Sequence, residues 1–113
     1  MQALQQKSEL LRFWRDNFKF RDIELRAFEE VDRAHFVPDQ LRHMAYVDLP
    51  LPVLRGKTIS QPTTVMIMTS LLELQLGEKV FEVGTGTGYQ AAIIAKIVGP
   101  DGKVVTTEII PEL

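Results

Sequence analysis

The sequence contains no cysteine. That excludes a disulfide framework, a thiolate metal site and a thiol nucleophile, and it fits a reducing compartment such as the cytoplasm. There is no excess of positive charge either: 13 basic residues stand against 15 acidic ones, a net charge of -2. Binding to nucleic acid or to an anionic membrane by charge alone is therefore not expected. No apolar run approaches the roughly 20 residues needed to cross a bilayer. The opening stretch Met1-Gln-Ala-Leu-Gln-Gln-Lys-Ser-Glu9 lacks the basic patch and apolar core of a signal peptide. Glycine is missing from the first half, all seven glycines lying from Gly56 onward. What is present is ordinary for a folded domain, with 45% hydrophobic and 25% charged residues. A chain of 113 residues can bury a core without staples but is too short for two full domains.

Hydrophobic spacing organises the chain. Leu4, Leu11, Trp14 and Phe18 share one face of a predicted amphipathic helix. Asp22 is placed to cap a second helix carrying Leu25, Phe28 and Val31. Phe36-Val-Pro38 ends that unit, because a residue preceding proline is pushed out of the helical region. A short helix is expected over 39–46 and a loop over 48–57. Ser60-Gln-Pro62 then opens a helix running to about Leu74, with serine as a cap and proline in the first turn. Residues 79–83 read as a strand, 84–88 as a glycine-rich loop, and the next helix as one with Ala91, Ile94, Ala95 and Val98 on its apolar face. Gly99-Pro-Asp-Gly102 breaks that helix before a strand over 104–107 that ends at Glu108. Strand, loop, helix and strand make a βαβ unit with parallel strands. Trp14, Phe18, Met66 and Met68 read most simply as packing residues, and His35 and His43 lack a partner at metal-ligand spacing.

The loop Glu82-Val-Gly84-Thr-Gly86-Thr-Gly88 carries the chemistry. A turn this tight needs positive φ, and bare backbone lets a ligand approach closely. Its spacing separates the candidates. A dinucleotide fingerprint wants glycine or alanine where Tyr89 stands, and a P-loop wants a lysine that is absent. What remains is an acidic residue ahead of G-x-G-x-G, with a second, Glu108, about 20 residues past the loop, where a carboxylate can accept hydrogen bonds from ribose hydroxyls. Glu82 offers a charge complement to an ammonium group. A tight turn flanked by two solvated strand ends is the plainer reading, but it leaves the agreement between loop, context and second carboxylate unexplained.

This pattern resembles the first motif of class I S-adenosylmethionine-dependent methyltransferases, whose cofactor carries no phosphate. Phe36-Val-Pro38, Ala45-Tyr46-Val-Asp48-Leu-Pro50-Leu-Pro52 and Thr58-Ile-Ser60-Gln-Pro62 precede the loop in one order. Together with Glu82 to Ala92 they closely resemble the protein-L-isoaspartate O-methyltransferase family, from about Asp22 to Leu113. The resemblance implies an α/β, Rossmann-like fold preceded by a small helical region, with residues 1–57 helical and 58–113 forming the first βαβ unit. It implies S-adenosyl-L-methionine as cofactor and methyl transfer to the α-carboxylate of L-isoaspartyl residues in damaged proteins, with no nucleic-acid or membrane partner. It assigns Ser60 to the active site, and Thr58, Ser60, Glu82, Gly84, Thr85, Gly86, Glu108 and Ile109 to the cofactor. From spacing alone Ser60 is equally a plain helix cap. An acceptor carboxylate is already ionised at neutral pH, so no general base is needed and positioning supplies most of the rate.

Departures accompany the likeness. Leu54-Arg-Gly-Lys57 stands where the family has glycine, a variable residue, glycine and glutamine, which puts a lysine beside the acceptor site. Val31-Asp-Arg33 replaces Val-Pro-Arg. Family members continue past the second strand, whereas Ile109-Ile-Pro-Glu-Leu113 does not read as a natural tail. A free strand edge and exposed flanks on the last helix are therefore expected, covered by the N-terminal helices or by self-association. Weak cofactor binding follows. Another acceptor on the same fold, or a non-catalytic peptide- or partner-binding module, are the alternatives; an NAD-dependent oxidoreductase is the weakest.

Overall fold

The computed structural model describes residues 2–111, with side chains from Gln6 onward. The Leu4 side chain, expected on the first helical face, and Glu112 and Leu113 lie outside the described residues. Helices α1 (Gln2–Asn17) and α2 (Asp22–Glu30) lead into two 3-10 turns, Arg33–Phe36 and Asp39–Met44. A short antiparallel hairpin follows, β1 (Leu51–Pro52) with β2 (Thr58–Ile59), then α3 (Pro62–Leu71). The chain closes with β3 (Lys79–Val83), α4 (Tyr89–Val98) and β4 (Lys103–Thr107). β3 and β4 pair in parallel from Lys79 opposite Lys103 to Val83 opposite Thr107, the arrangement expected of a βαβ unit.

The core lies between α4 and the N-terminal helices. Trp14 and Phe28 are fully buried and meet edge to face at 4.6 Å, with Tyr46 beyond Phe28 at 5.7 Å. α2 packs across α4, whose Ile93, Ile94, Ile97 and Val98 are buried. Each such side chain contributes about 1.5–3 kcal/mol through its burial. Gly102 lets β4 turn under this helix, since a Cβ there would lie 2.5 Å from Val98 Cβ and 2.8 Å from the Val98 carbonyl oxygen.

Several expectations are corrected. The apolar face of α4 is centred on Ile93 and Ile97, and Ala95 faces solvent; isoleucine, valine and alanine surround this helix, so periodicity left its direction ambiguous. Among the described residues no large apolar side chain of α4 is exposed, and the uncovered apolar surface includes the outer face of the sheet, where Phe81 is 64% and Val83 80% exposed. Asp22 does not cap α2. The preceding residue Arg21 does, its backbone N–H donating to Glu24 Oε1 at 2.9 Å while its guanidinium grips the same buried carboxylate. Met66 is buried as expected, but Met68 is 60% exposed. The stretch over 39–46 is a 3-10 turn, and the loop over 48–57 holds most of the hairpin. α3 stops at Leu71 because Glu73 turns into the left-handed region, φ 50°.

Candidate functional site

β3 delivers the chain into the glycine loop, where Gly84 and Gly86 take φ of 87° and 56°. These are conformations that a side chain disfavours by about 1–2 kcal/mol. A Cβ added at either position would meet nothing within 4 Å, so the backbone requires glycine there while the space beside it stays open. The amides of Gly84 and Thr85 donate to the Thr107 carbonyl at 2.7 and 2.9 Å, pinning the loop to the end of β4.

Glu108 follows immediately. One carboxylate oxygen accepts from the Gly86 amide at 2.8 Å, the other from Ile109 and Ile110 at 3.1 Å. The Gly86 N–H above all, then that of Ile110, holds its pKa below the usual glutamate value, and the Lys57 charge adds to the effect. Glu82 points into the same region from β3 and accepts from the Thr106 hydroxyl at 2.7 Å, which is itself 2.6 Å from the Thr85 hydroxyl. The glycine loop, β3 and β4 are thus tied by one polar chain.

β2 and the residue after it bring Thr58 and Ser60 to the opposite wall. A cleft of about 450 Å³ is lined by Lys57, Thr58, Gly84, Gly86, Glu108 and Ile109, among others. A second, of about 240 Å³, carries Ser60, Met68, Glu82, Thr85 and Tyr89, and shares Thr58, Gly84 and Gly86 with the first. All eight residues singled out from the sequence therefore line one of two adjoining clefts. Lys57 faces this space from the hairpin. Tyr89, which breaks the dinucleotide fingerprint, starts α4 as a buried residue 5.4 Å from the Phe36 ring.

Ser60 is not the cap of α3. Gln61 is the capping residue by position, and the cap is made from a distance. Asp48 accepts from the Thr63 amide at 2.9 Å and from its hydroxyl at 2.6 Å, while that hydroxyl accepts from the Trp14 indole at 2.9 Å. Ser60 keeps an exposed side chain, and its carbonyl is gripped by the buried Arg33 guanidinium at 2.7 Å. Arg33 also donates to the Ala45 carbonyl at 2.7 Å and lies 5.1 Å from the centre of the Tyr89 ring. Burial lowers its pKa, though arginine stays charged in proteins. Arg33, Asp48 and Thr106 escaped the sequence reading because each acts on a residue far along the chain. An arginine between Val31 and Val37, both buried, was the available signal. His35 is exposed, 3.5 Å from Asp32, and among the described residues no group of three acidic or histidine side chains converges on a point.

The model of the protein-L-isoaspartate(D-aspartate) O-methyltransferase family matches residues 5–113. The protein-L-isoaspartate O-methyltransferase of Methanopyrus kandleri is 58% identical over 87 residues, covering 77% of this chain and 38% of its own length. That of Methanothrix thermoacetophila is 49% identical over 107 residues, covering 95% of this chain and 50% of its own. The chain thus spans half or less of the length of these relatives. A solved protein-L-isoaspartate O-methyltransferase superposes with a TM-score of 0.75 at 29% identity, over 90% of this chain and 33% of the other. A Plasmodium falciparum structure described as a β-aspartate methyltransferase, in complex with S-adenosyl-L-homocysteine, shares the fold, with a TM-score of 0.77 at 24% identity over 96% of this chain and 50% of the other. The family model covers nearly the whole chain and the fold is that of a solved member, and the chain belongs to the protein-L-isoaspartate(D-aspartate) O-methyltransferase family.

Proposed function

We propose that the protein transfers the methyl group of S-adenosyl-L-methionine to the α-carboxylate of L-isoaspartyl residues in damaged proteins, within the cytoplasm. The observation that carries this reading is the Glu108 carboxylate, held by the Gly86 amide at the mouth of an open glycine loop and across a cleft from Thr58. The loop composition fits the cofactor. Residues 84–88 include no lysine or arginine, as suits a ligand without phosphate, and the glycines leave space a Cβ would fill. In this reading residues 58–113 carry the cofactor and residues 1–57 buttress it. Glu108 accepts from ribose hydroxyls, with Ile109 beside it. Gly84, Thr85 and Gly86 offer backbone, Glu82 attracts an ammonium group, and Thr58 and Ser60 close the opposite wall.

When bound, the cofactor supplies an electrophilic methyl group on a sulfur that leaves readily. The chain's own work is positional. A carboxylate with pKa near roughly 4 is already ionised at neutral pH, so no residue need remove a proton. Ser60 donates a hydrogen bond that orients the acceptor oxygen. The hairpin wall limits water, and alignment supplies most of the rate.

Methyl transfer to an isoaspartyl peptide, with its aspartyl isomer as control, tests the reading. Transfer confined to the isoaspartyl form and lost in Ser60→Ala is expected. Equal methylation of both would point to another acceptor. No transfer, with a mass that grows with concentration, would favour a non-catalytic module. The exposed Phe81, Val83, Val105 and Ile109 support self-association through the outer sheet face. Sedimentation should show dimers that Val83→Lys disperses, and a monomer at every concentration would exclude them.

A further inference from the structure

Arg33 is completely buried, yet no carboxylate among the described residues lies within ion-pair distance of its guanidinium. A buried charge is ordinarily paired, because removing it from water carries a heavy desolvation penalty. Here Nε and Nη2 reach only carbonyls, those of Ala45 and Ser60, and Nη1 has no hydrogen-bond partner at all. The nearby acids are engaged elsewhere. Asp48 holds the Thr63 amide and hydroxyl, and Asp32 holds the Ala34 amide and the Tyr46 hydroxyl. The Tyr89 hydroxyl is likewise buried and makes no well-formed hydrogen bond, its polar neighbour being the Arg33 guanidinium itself, and Tyr89 belongs to the wall of the cleft that contains Ser60.

A positive charge with no carboxylate in ion-pair contact, and only the more distant Asp48 acting on it, therefore stands one peptide carbonyl behind Ser60. Inside the protein its field is screened far less than that of a surface lysine. An anion lodged beside Ser60 compensates it, and a neutral group of the same shape does not. We infer that Arg33 is a positioning residue of the acceptor subsite, its fixed and unpaired charge selecting an anionic group beside Ser60 over a neutral isostere. The inference rests on Ser60 marking the acceptor side of the cleft, and it is independent of the cofactor.

Ser60→Cys places a single thiol in a cysteine-free chain. The pH dependence of its alkylation by iodoacetamide reads the local potential without cofactor or turnover. Glu82 lines the same cleft and opposes the effect, Asp48 at the start of α3 also opposes it, and the amides of the first turn of α3 assist it. All three stay constant across the comparison. The thiol should titrate below the ordinary value of roughly 8.5. Adding Arg33→Met should raise the midpoint by about one pH unit, a tenfold slower reaction on the acid side, whereas Arg33→Lys should retain at least half of the depression. Arg33→Met is expected to fold, since an apolar chain of similar length replaces a desolvated charge. An unchanged midpoint in Arg33→Met, or equal rises in the Met and Lys variants, would overturn the inference. Should Arg33→Met fail to fold, a midpoint at or above roughly 8.5 in Ser60→Cys alone would do so. A midpoint that is depressed in Ser60→Cys and rises in Arg33→Met, without methylation of isoaspartyl peptide by the parent chain, would count against the proposed reaction and leave the field of Arg33 established.

Discussion

Replacing Asp48 by alanine should destabilise the protein by about 2–4 kcal/mol. The loss has two parts. Asp48 Oδ1 accepts the Thr63 amide at 2.9 Å, one of the donors that the first turn of α3 leaves unpaired. Removing such a cap costs about 0.5–2 kcal/mol. Asp48 Oδ2 accepts the Thr63 hydroxyl at 2.6 Å, and that hydroxyl is occupied on its other side by the Trp14 indole at 2.9 Å. Thr63 is buried, so its stranded proton adds about 1–3 kcal/mol. Asp48→Asn keeps an acceptor for the amide and should lose roughly half as much. Urea unfolding followed by fluorescence suits the test, because Trp14 is the only tryptophan and is fully buried. In Thr63→Val the hydroxyl is already gone, so Asp48→Ala on that background should cost at least about 1 kcal/mol less than on the parent. A loss below about 0.5 kcal/mol for Asp48→Ala, or additivity of the pair within about 0.3 kcal/mol, would refute the reasoning.

Glu108 predicts a pH dependence. Its pKa is depressed in the folded state, chiefly by the Gly86 amide, so its contribution to stability is full above the ordinary glutamate pKa. That contribution disappears as the pH falls through the lowered folded-state value. The Gly86 amide resonance should titrate with a midpoint below the ordinary glutamate value and lose that step in Glu108→Gln; a midpoint at or above the ordinary value would contradict the geometry. Gly102→Ala drives a methyl group into Val98 and should cost about 1–3 kcal/mol or more by thermal unfolding. Gly86→Ala meets no neighbour and should cost about 1–2 kcal/mol, through backbone strain alone. Indistinguishable melting temperatures for Gly102→Ala and the parent would show that Val98 moves aside freely.

The βαβ unit was legible because it rests on local signals: alternating strands, glycines at left-handed positions, and a helix bounded by Gly88 and Gly99. The carboxylates at the strand ends were legible for the same reason, since strand length alone carries Glu82 and Glu108 to the loop. Where the reading went astray, tertiary contacts overrode a local preference. Ser60 has the right chemistry for a cap, but Asp48 takes the amide of Thr63 from 15 residues away. Met68 sits in an apolar helix, yet the outer side of α3 faces the cleft rather than the core. The direction of α4 was illegible because small and branched apolar residues occur around most of it, and its packing between α2 and the β3–β4 pair selects Ile93 and Ile97. Arg33 reads as one charge among many until its burial and its bond to the Ser60 carbonyl are seen.

The central claim is that the glycine loop and Glu108 form a cradle for an adenosine carrying no phosphate. Titrating the isotopically labelled chain with S-adenosyl-L-homocysteine, and separately with NAD, tests it most directly. Amide shifts confined to residues around Gly84, Gly86, Glu108 and Ile109 are expected with the first ligand. Affinity should fall about tenfold or more in Glu108→Gln, as loss of a charged hydrogen-bond acceptor implies. Absence of shifts at those residues, equal shifts with NAD, or an affinity unchanged in Glu108→Gln would contradict the account.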